Sequence, residues 1–366
     1  MRVLQCSKRS MTLLVAACVA FAGCGDSGPD APFNPAGTTG DIEAVNATFE
    51  SPVFSSFSAF SFYFDAALGP APLVSTSAQA FNFRRASTGG QLRAAAARNA
   101  QRVAGLIRRG PNGSFSASSA AIPAEAAGKT FEYVDGSYVP GERTGAPANG
   151  VRFLIYAVNP VTFQPVEPLQ EVGYVQLTDL SGSSTQAARV IVVSGTTTYL
   201  DYTVSATANA SGGLVAVVGY VTDGTTQANI NLRSTITQAA GLTLLYTVDV
   251  PQRDVSIDLT MEMTGLDQQS GTIDIDLSMS GPNGSVSMSG RFSETGGTIT
   301  VRVNGSTFGT VTSTGVGEPV ITGADGEPLS DADAAALQNI FGITGEAFLA
   351  FDAMIVPVGG FLAPAE

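Results

Sequence analysis

The sequence predicts a mainly β protein with flanking helices: a long antiparallel β-meander forming a curved sheet, half-barrel or open barrel, covered by N- and C-terminal helices. Three observations predict it. From about Lys129 onward apolar residues recur at every second position. The clearest run has Val255, Ile257, Leu259, Met261 and Met263 alternating with Ser256, Asp258, Thr260, Glu262 and Thr264. A period of two sends successive side chains to opposite faces, so such strands bury one face and wet the other. Turn formers join the runs, among them Asp223-Gly224, Gly281-Pro282-Asn283-Gly284 and Asn304-Gly305, which makes sequence neighbours sheet neighbours. On either side of the strands the apolar spacing changes to three and four, the helical period.

The N-terminus comes first. Arg2, Lys8 and Arg9 form a basic leader, and Met11 to Ala22 is an apolar stretch shorter than the roughly 20 residues a membrane-spanning helix needs. The pattern is that of an export signal. Phe21-Ala22-Gly23-Cys24 resembles the lipobox of bacterial lipoproteins. The resemblance implies that residues 1 to 23 are removed and that Cys24 is acylated, anchoring the chain to a membrane. Val15-Ala16-Ala17-Cys18 is a second match, which leaves apolar Val19 to Ala22 beyond the anchor, and a plain cleaved signal with an incidental cysteine is a third reading. With Gly25 rather than aspartate after the cysteine, the expected location is exported and membrane-anchored, at an outer membrane facing periplasm or cell surface.

Residues 24 to 40 read as a lipidated flexible tether rich in Gly, Pro, Asp and Thr. Residues 41 to 128 read as a helical and Arg-rich segment. Ile42, Val45, Phe49, Val53, Phe57, Phe60, Phe64 and Leu68 form one stripe, with Ser51 placed to cap a second helix opening on Pro52. Residues 66 to 124 hold no acid and seven arginines, and Gln91 to Arg109 has a helical pattern. That segment reads either as a basic surface for lipid headgroups or another anion, or as a solvated Arg-rich helix or mobile insertion.

The meander is expected over 129 to 320. Open twisted sheets rarely exceed about ten strands, so a sheet of this many must curl, split into layers or close. A closed outer-membrane barrel is the rival, disfavoured because a lipid anchor is redundant for a spanning barrel and the aromatic girdle pattern is missing. Residues 321 to 366 are expected to pack on the sheet as a C-terminal helical segment. Its helix runs from Asp331 to Phe341 or on to Phe351, with Ser330 as cap. In architecture the whole weakly resembles half-barrel lipid-binding lipoproteins, which implies an apolar inner face able to house acyl chains.

Chemistry is scarce. The chain has no histidine, and its three cysteines, Cys6, Cys18 and Cys24, all lie in the first 24 residues, so the usual zinc, haem and iron-sulfur ligand sets are missing and no cofactor is expected. A serine nucleophile has no histidine partner, and a Ser-Lys pair would have to use Lys129. No catalytic residue is assigned. Four carboxylates on consecutive strands, Asp258, Glu262, Asp274 and Asp276, are the candidates for a calcium site or a glycan-cleaving pair; the bland alternative is a solvated sheet face. Phe57, Phe60, Phe62 and Tyr63 are candidates to line a pocket for an apolar ligand, or else to build core.

The net charge is −13, and removing Arg2, Lys8 and Arg9 leaves the mature chain at −16. Such acidity disfavours nucleic acid as a partner. The expected function is therefore a lipid-anchored cell-envelope protein, a non-enzymatic binding or structural module whose partners are the membrane through Cys24 and an apolar ligand or envelope protein. The alternatives are a carrier of lipids or other amphiphiles, and an envelope glycan hydrolase using the strand carboxylates.

Overall fold

Period-two alternation from residue 130 to residue 323 builds fifteen strands. The computed structural model describes residues 33–64, 89–107, 121–159, 162, 164–209, 212–237, 241–265, 271–293, 295–314 and 320–362. Within these, β1 is Thr130–Val134, β2 Ser137–Pro140, β3 Gly150–Tyr156, β4 Glu171–Asp179, β5 Thr185–Ser194, β6 Thr197–Asn209, β7 Gly212–Thr222 and β8 Gln227–Thr237. The second half comprises β9 Leu242–Val250, β10 Val255–Thr264, β11 Thr272–Gly281, β12 Gly284–Ser293, β13 Gly296–Val303, β14 Ser306–Ser313 and β15 Val320–Gly323. Four helices accompany them: α1 Pro35–Phe49, α2 Pro52–Phe64, α3 Gly89–Leu106 and α4 Asp331–Leu362.

All fifteen strands belong to one open sheet, mixed but largely antiparallel, and from β3 to β15 each strand pairs with the next. The expected meander is interrupted once. β1 pairs in parallel with β3, and β2, hairpinned onto the far side of β1, becomes the edge. Tight turns have the expected chemistry: Asn304 and Gly305, between β13 and β14, both have positive φ, at 48° and 84°, the requirement of a two-residue hairpin that follows the strand twist.

The inner face is predominantly apolar. Val255, Ile257, Leu259, Met261 and Met263 of β10 are all at most 2% exposed, while Asp258 and Glu262 on the same strand face water. α4 crosses this face. Phe341 meets Phe292 of β12, the Tyr202 hydroxyl of β6 donates to the Met354 carbonyl at 3.0 Å, and Phe361 meets Phe153 of β3. Between the two ends of that path lie nine strand spacings, about 43 Å of sheet at about 4.8 Å each, yet the twenty helical steps from Phe341 to Phe361 span only about 30 Å at 1.5 Å per residue. The sheet must therefore curve around the helix, as a trough around a bar.

The remaining helices fill the trough around α4. Phe57 of α2 is fully buried and Phe60 nearly so, against Tyr138 and Phe153. α3 lies so close to β7 that a β-carbon added at Gly213 would stand 2.2 Å from Ile107 Cδ1, which is why glycine occupies that inward position.

Element bounds differ from expectation at four places, the first being α3, which opens at Gly89, two residues before the expected Gln91. α1 begins at Pro35, inside the stretch expected to be tether, because Asn34 caps it by accepting from the Gly37 N–H at 3.0 Å. Residues 321 to 323 complete β15 rather than beginning a helical segment. α4 continues past Phe351 to Leu362, through Pro357 and Gly359.

Candidate functional site

The four strand carboxylates stand where alternation puts them, on the outer face of β10 and β11. Register places Glu262 beside Asp274, Thr260 beside Asp276 and Asp258 beside Ser278. Asp274 is committed elsewhere: Arg291, its neighbour on β12, donates from Nε and Nη2 to its two oxygens at 2.6 and 3.0 Å. That hydrogen-bonded carboxylate also raises the Arg291 pKa. Asp258, Glu262 and Asp276 are exposed. Among the described residues, no group of three or more His, Cys, Asp or Glu is arranged to hold a metal ion.

The aromatic candidates divide. Phe57 lies 6.4 Å from the Tyr202 ring, and Phe60 lies 5.3 Å from Tyr138 and 4.8 Å from Phe153. Both fill core between α2 and the sheet. The side chains of Phe62 and Tyr63 lie outside the described residues, as does Cys24 with the whole leader.

Within the Arg-rich segment, α3 packs one face inward through Leu92, Ala96 and Val103. Arg98 is exposed. Arg102 Nε sits 3.3 Å from Asp352 Oδ1 of α4, with only 11% and 19% of the two side chains exposed. This contact is an ion pair and not an aligned hydrogen bond, since Asp352 Oδ1 has none. Burial raises the Asp352 pKa, and the Arg102 and Arg98 charges offset only part of that rise.

Sequence reasoning missed the polar groups inside the trough. Beside Asp352, α4 brings in Glu346, 7% exposed, opposite β9. The hydroxyl of Tyr246 on β9 is fully buried without a hydrogen-bond partner, and its pKa is raised first by burial and then by the Glu346 charge. On β8, Ser234 donates to Asn99 Oδ1 of α3 at 2.7 Å. The available signal was Glu346 and Asp352 themselves, the two acids in the largely apolar run from Ile340 to Leu362.

Chemically, the trough presents its own polar pairs to its own helices, and the outer face presents hydroxyls and matched charges such as Arg189 with Asp201 at 2.6 Å. Comparison with known protein families, curated proteins and solved structures gave no match to this chain.

Proposed function

We propose that the protein is a lipid-anchored cell-envelope protein acting as a non-enzymatic binding or structural module, tethered through Cys24. The observation that carries the module reading is the occupied trough. The apolar face that an amphiphile carrier would offer to acyl chains is covered by α4, α1 and α2, whose residues Val45, Phe57, Leu337, Phe348 and Phe351 are at most 2% exposed. The anchor reading is supported by the leader and the Phe21-Ala22-Gly23-Cys24 motif. An exposed sheet face of Ser, Thr and paired charges suits adhesion to an envelope partner more than it suits turnover of a substrate.

Two measurements on the exported protein test this. Cys24→Ser should lose the acyl mass and move from the membrane to the soluble fraction; continued acylation would transfer the anchor to Cys18. Native mass spectrometry of that soluble variant should show protein without bound lipid. Stoichiometric co-purified lipid would overturn the module reading in favour of the carrier.

A further inference from the structure

The trough is closed by helices of two kinds. α2 and α4 enter it with aromatic rings: Phe57 and Phe60 reach Tyr202 and Phe153, and Phe341 and Phe361 reach Phe292 and Phe153. α3 has no aromatic residue. It packs on β7, β8 and α4 through Leu92, Ala96, Asn99, Val103, Leu106 and Ile107, so that a fully buried amide stands in the middle of its inward face. Asn99 Oδ1 accepts from the hydroxyl of Ser234 on β8, itself fully buried, while Asn99 Nδ2 has no hydrogen-bond partner. Three residues on, Arg102 meets Asp352 of α4 with both side chains mostly removed from water, yet Asp352 Oδ1 has no hydrogen bond. Ile107 rests against Gly213, an inward position of β7 that has no side chain to cover.

These contacts weigh differently once the helices leave. Releasing α2 or α4 would put bare aromatic surface into water. When α3 leaves, water satisfies the Asn99 amide, the Ser234 hydroxyl and both members of the Arg102–Asp352 pair, so solvation returns much of what is lost in apolar contact. Segments with that balance open at a free energy below that of global unfolding. We propose that α3 is a releasable cover, which leaves and rejoins the trough as a unit while the sheet, α1, α2 and α4 stay folded. Its departure bares Gly213 and Ser234, with Val215 standing opposite Ser234 across β7 and β8, and opens the apolar interior to solvent at that place. This opening is independent of how the chain is anchored.

Hydrogen exchange of the exported protein, resolved along α3 and α4 by mass spectrometry at rising urea below the unfolding transition, tests the proposal. Amides of residues 96 to 103 should exchange together, about tenfold or more faster than those of residues 337 to 354, and with a weaker urea dependence, because opening exposes only part of the surface that unfolding does. A common rate and a common urea dependence for the two helices means that α3 leaves only when everything unfolds, and overturns the proposal. Exchange graded inward from the ends of α3, with its centre as slow as α4, is fraying and overturns it equally. Exchange of α3 at the rate of an unfolded peptide shows a helix that never docks, which also overturns it. Gly213→Phe places a ring where Ile107 packs. Loss of protection confined to α3 is the expected result; loss that spreads through α4 and the strands shows that they need α3 and overturns its independence. Unchanged protection of α3 would mean that the helix does not rest on Gly213, and removes the docking from which the proposal starts.

Discussion

At the scale of single residues, Asp352 is where burial and charge pairing oppose each other most directly. Its carboxylate is drawn toward Arg102 at 3.3 Å but is mostly removed from water, and burial wins, so its pKa is raised. An acid whose folded-state pKa lies above its unfolded value holds its proton longer in the native state. By linkage, its contribution to stability is fully present below the ordinary aspartate range and is lost as pH rises through the raised value. Stability of the native protein relative to Asp352→Asn should therefore fall as pH goes from about 4, the ordinary aspartate pKa, toward neutrality. Urea denaturation of both proteins across that interval checks it. If the native protein instead gains on the variant with rising pH, the Arg102 ion pair outweighs the burial cost. Nothing in local periodicity announces this pair, because Arg102 and Asp352 belong to different helices and meet only after the trough has closed around α4.

At the scale of elements, legibility follows the range of the forces involved. The break between α1 and α2 was readable because a cap is a local device: Ser51 Oγ accepts from the Phe54 N–H at 3.1 Å, and Pro52 opens the helix where its missing donor costs nothing. Ser51→Ala should cost about 1 kcal/mol of stability, seen as a lower urea midpoint, with Ser51→Asn recovering most of it; an unchanged midpoint would mean that packing alone starts α2. Asn34-Pro35 is the same signal, hidden by Gly37 and Gly40, poor helix formers that read as tether. The far end of α4 was harder still. Pro357 inside a helix costs about 3 kcal/mol, and only the tertiary burial of Ile355, Val358 and Phe361 explains why the helix continues past it. Likewise, the parallel β1–β3 pair depends on where the chain returns after β2, a matter of topology that alternation does not encode.

At the scale of the whole molecule, the open sheet raises the question of what protects its edges and its inner face. The edges are blunted: β2 is four residues ending in Pro140, and the free side of β15 is met by its own chain, with Gly323 donating to the Glu327 carbonyl at 2.7 Å. The inner face depends on α4. By length and composition the stretch Asp331–Gly359 suffices to cross a membrane, and 72% of its most apolar window is buried inside the protein instead. Six of its residues, Leu337, Phe341, Phe348, Phe351, Met354 and Ile355, are at most 2% exposed; at about 1.5 to 3 kcal/mol each they contribute roughly 9 to 18 kcal/mol of burial. That is of the same size as the roughly 5 to 15 kcal/mol by which a whole domain is ordinarily stable. A chain ending at Ser330 should therefore lose the native state, aggregate or bind a hydrophobic dye along its strands, and regain solubility when a peptide of residues 331 to 362 is supplied during refolding. A truncated protein that stays monomeric, binds no dye and melts cooperatively at the native temperature would show that the strands, α1, α2 and α3 suffice to close the trough. α4 would then be an occupant that can leave, and the amphiphile-carrier reading would gain the vacant apolar face it requires.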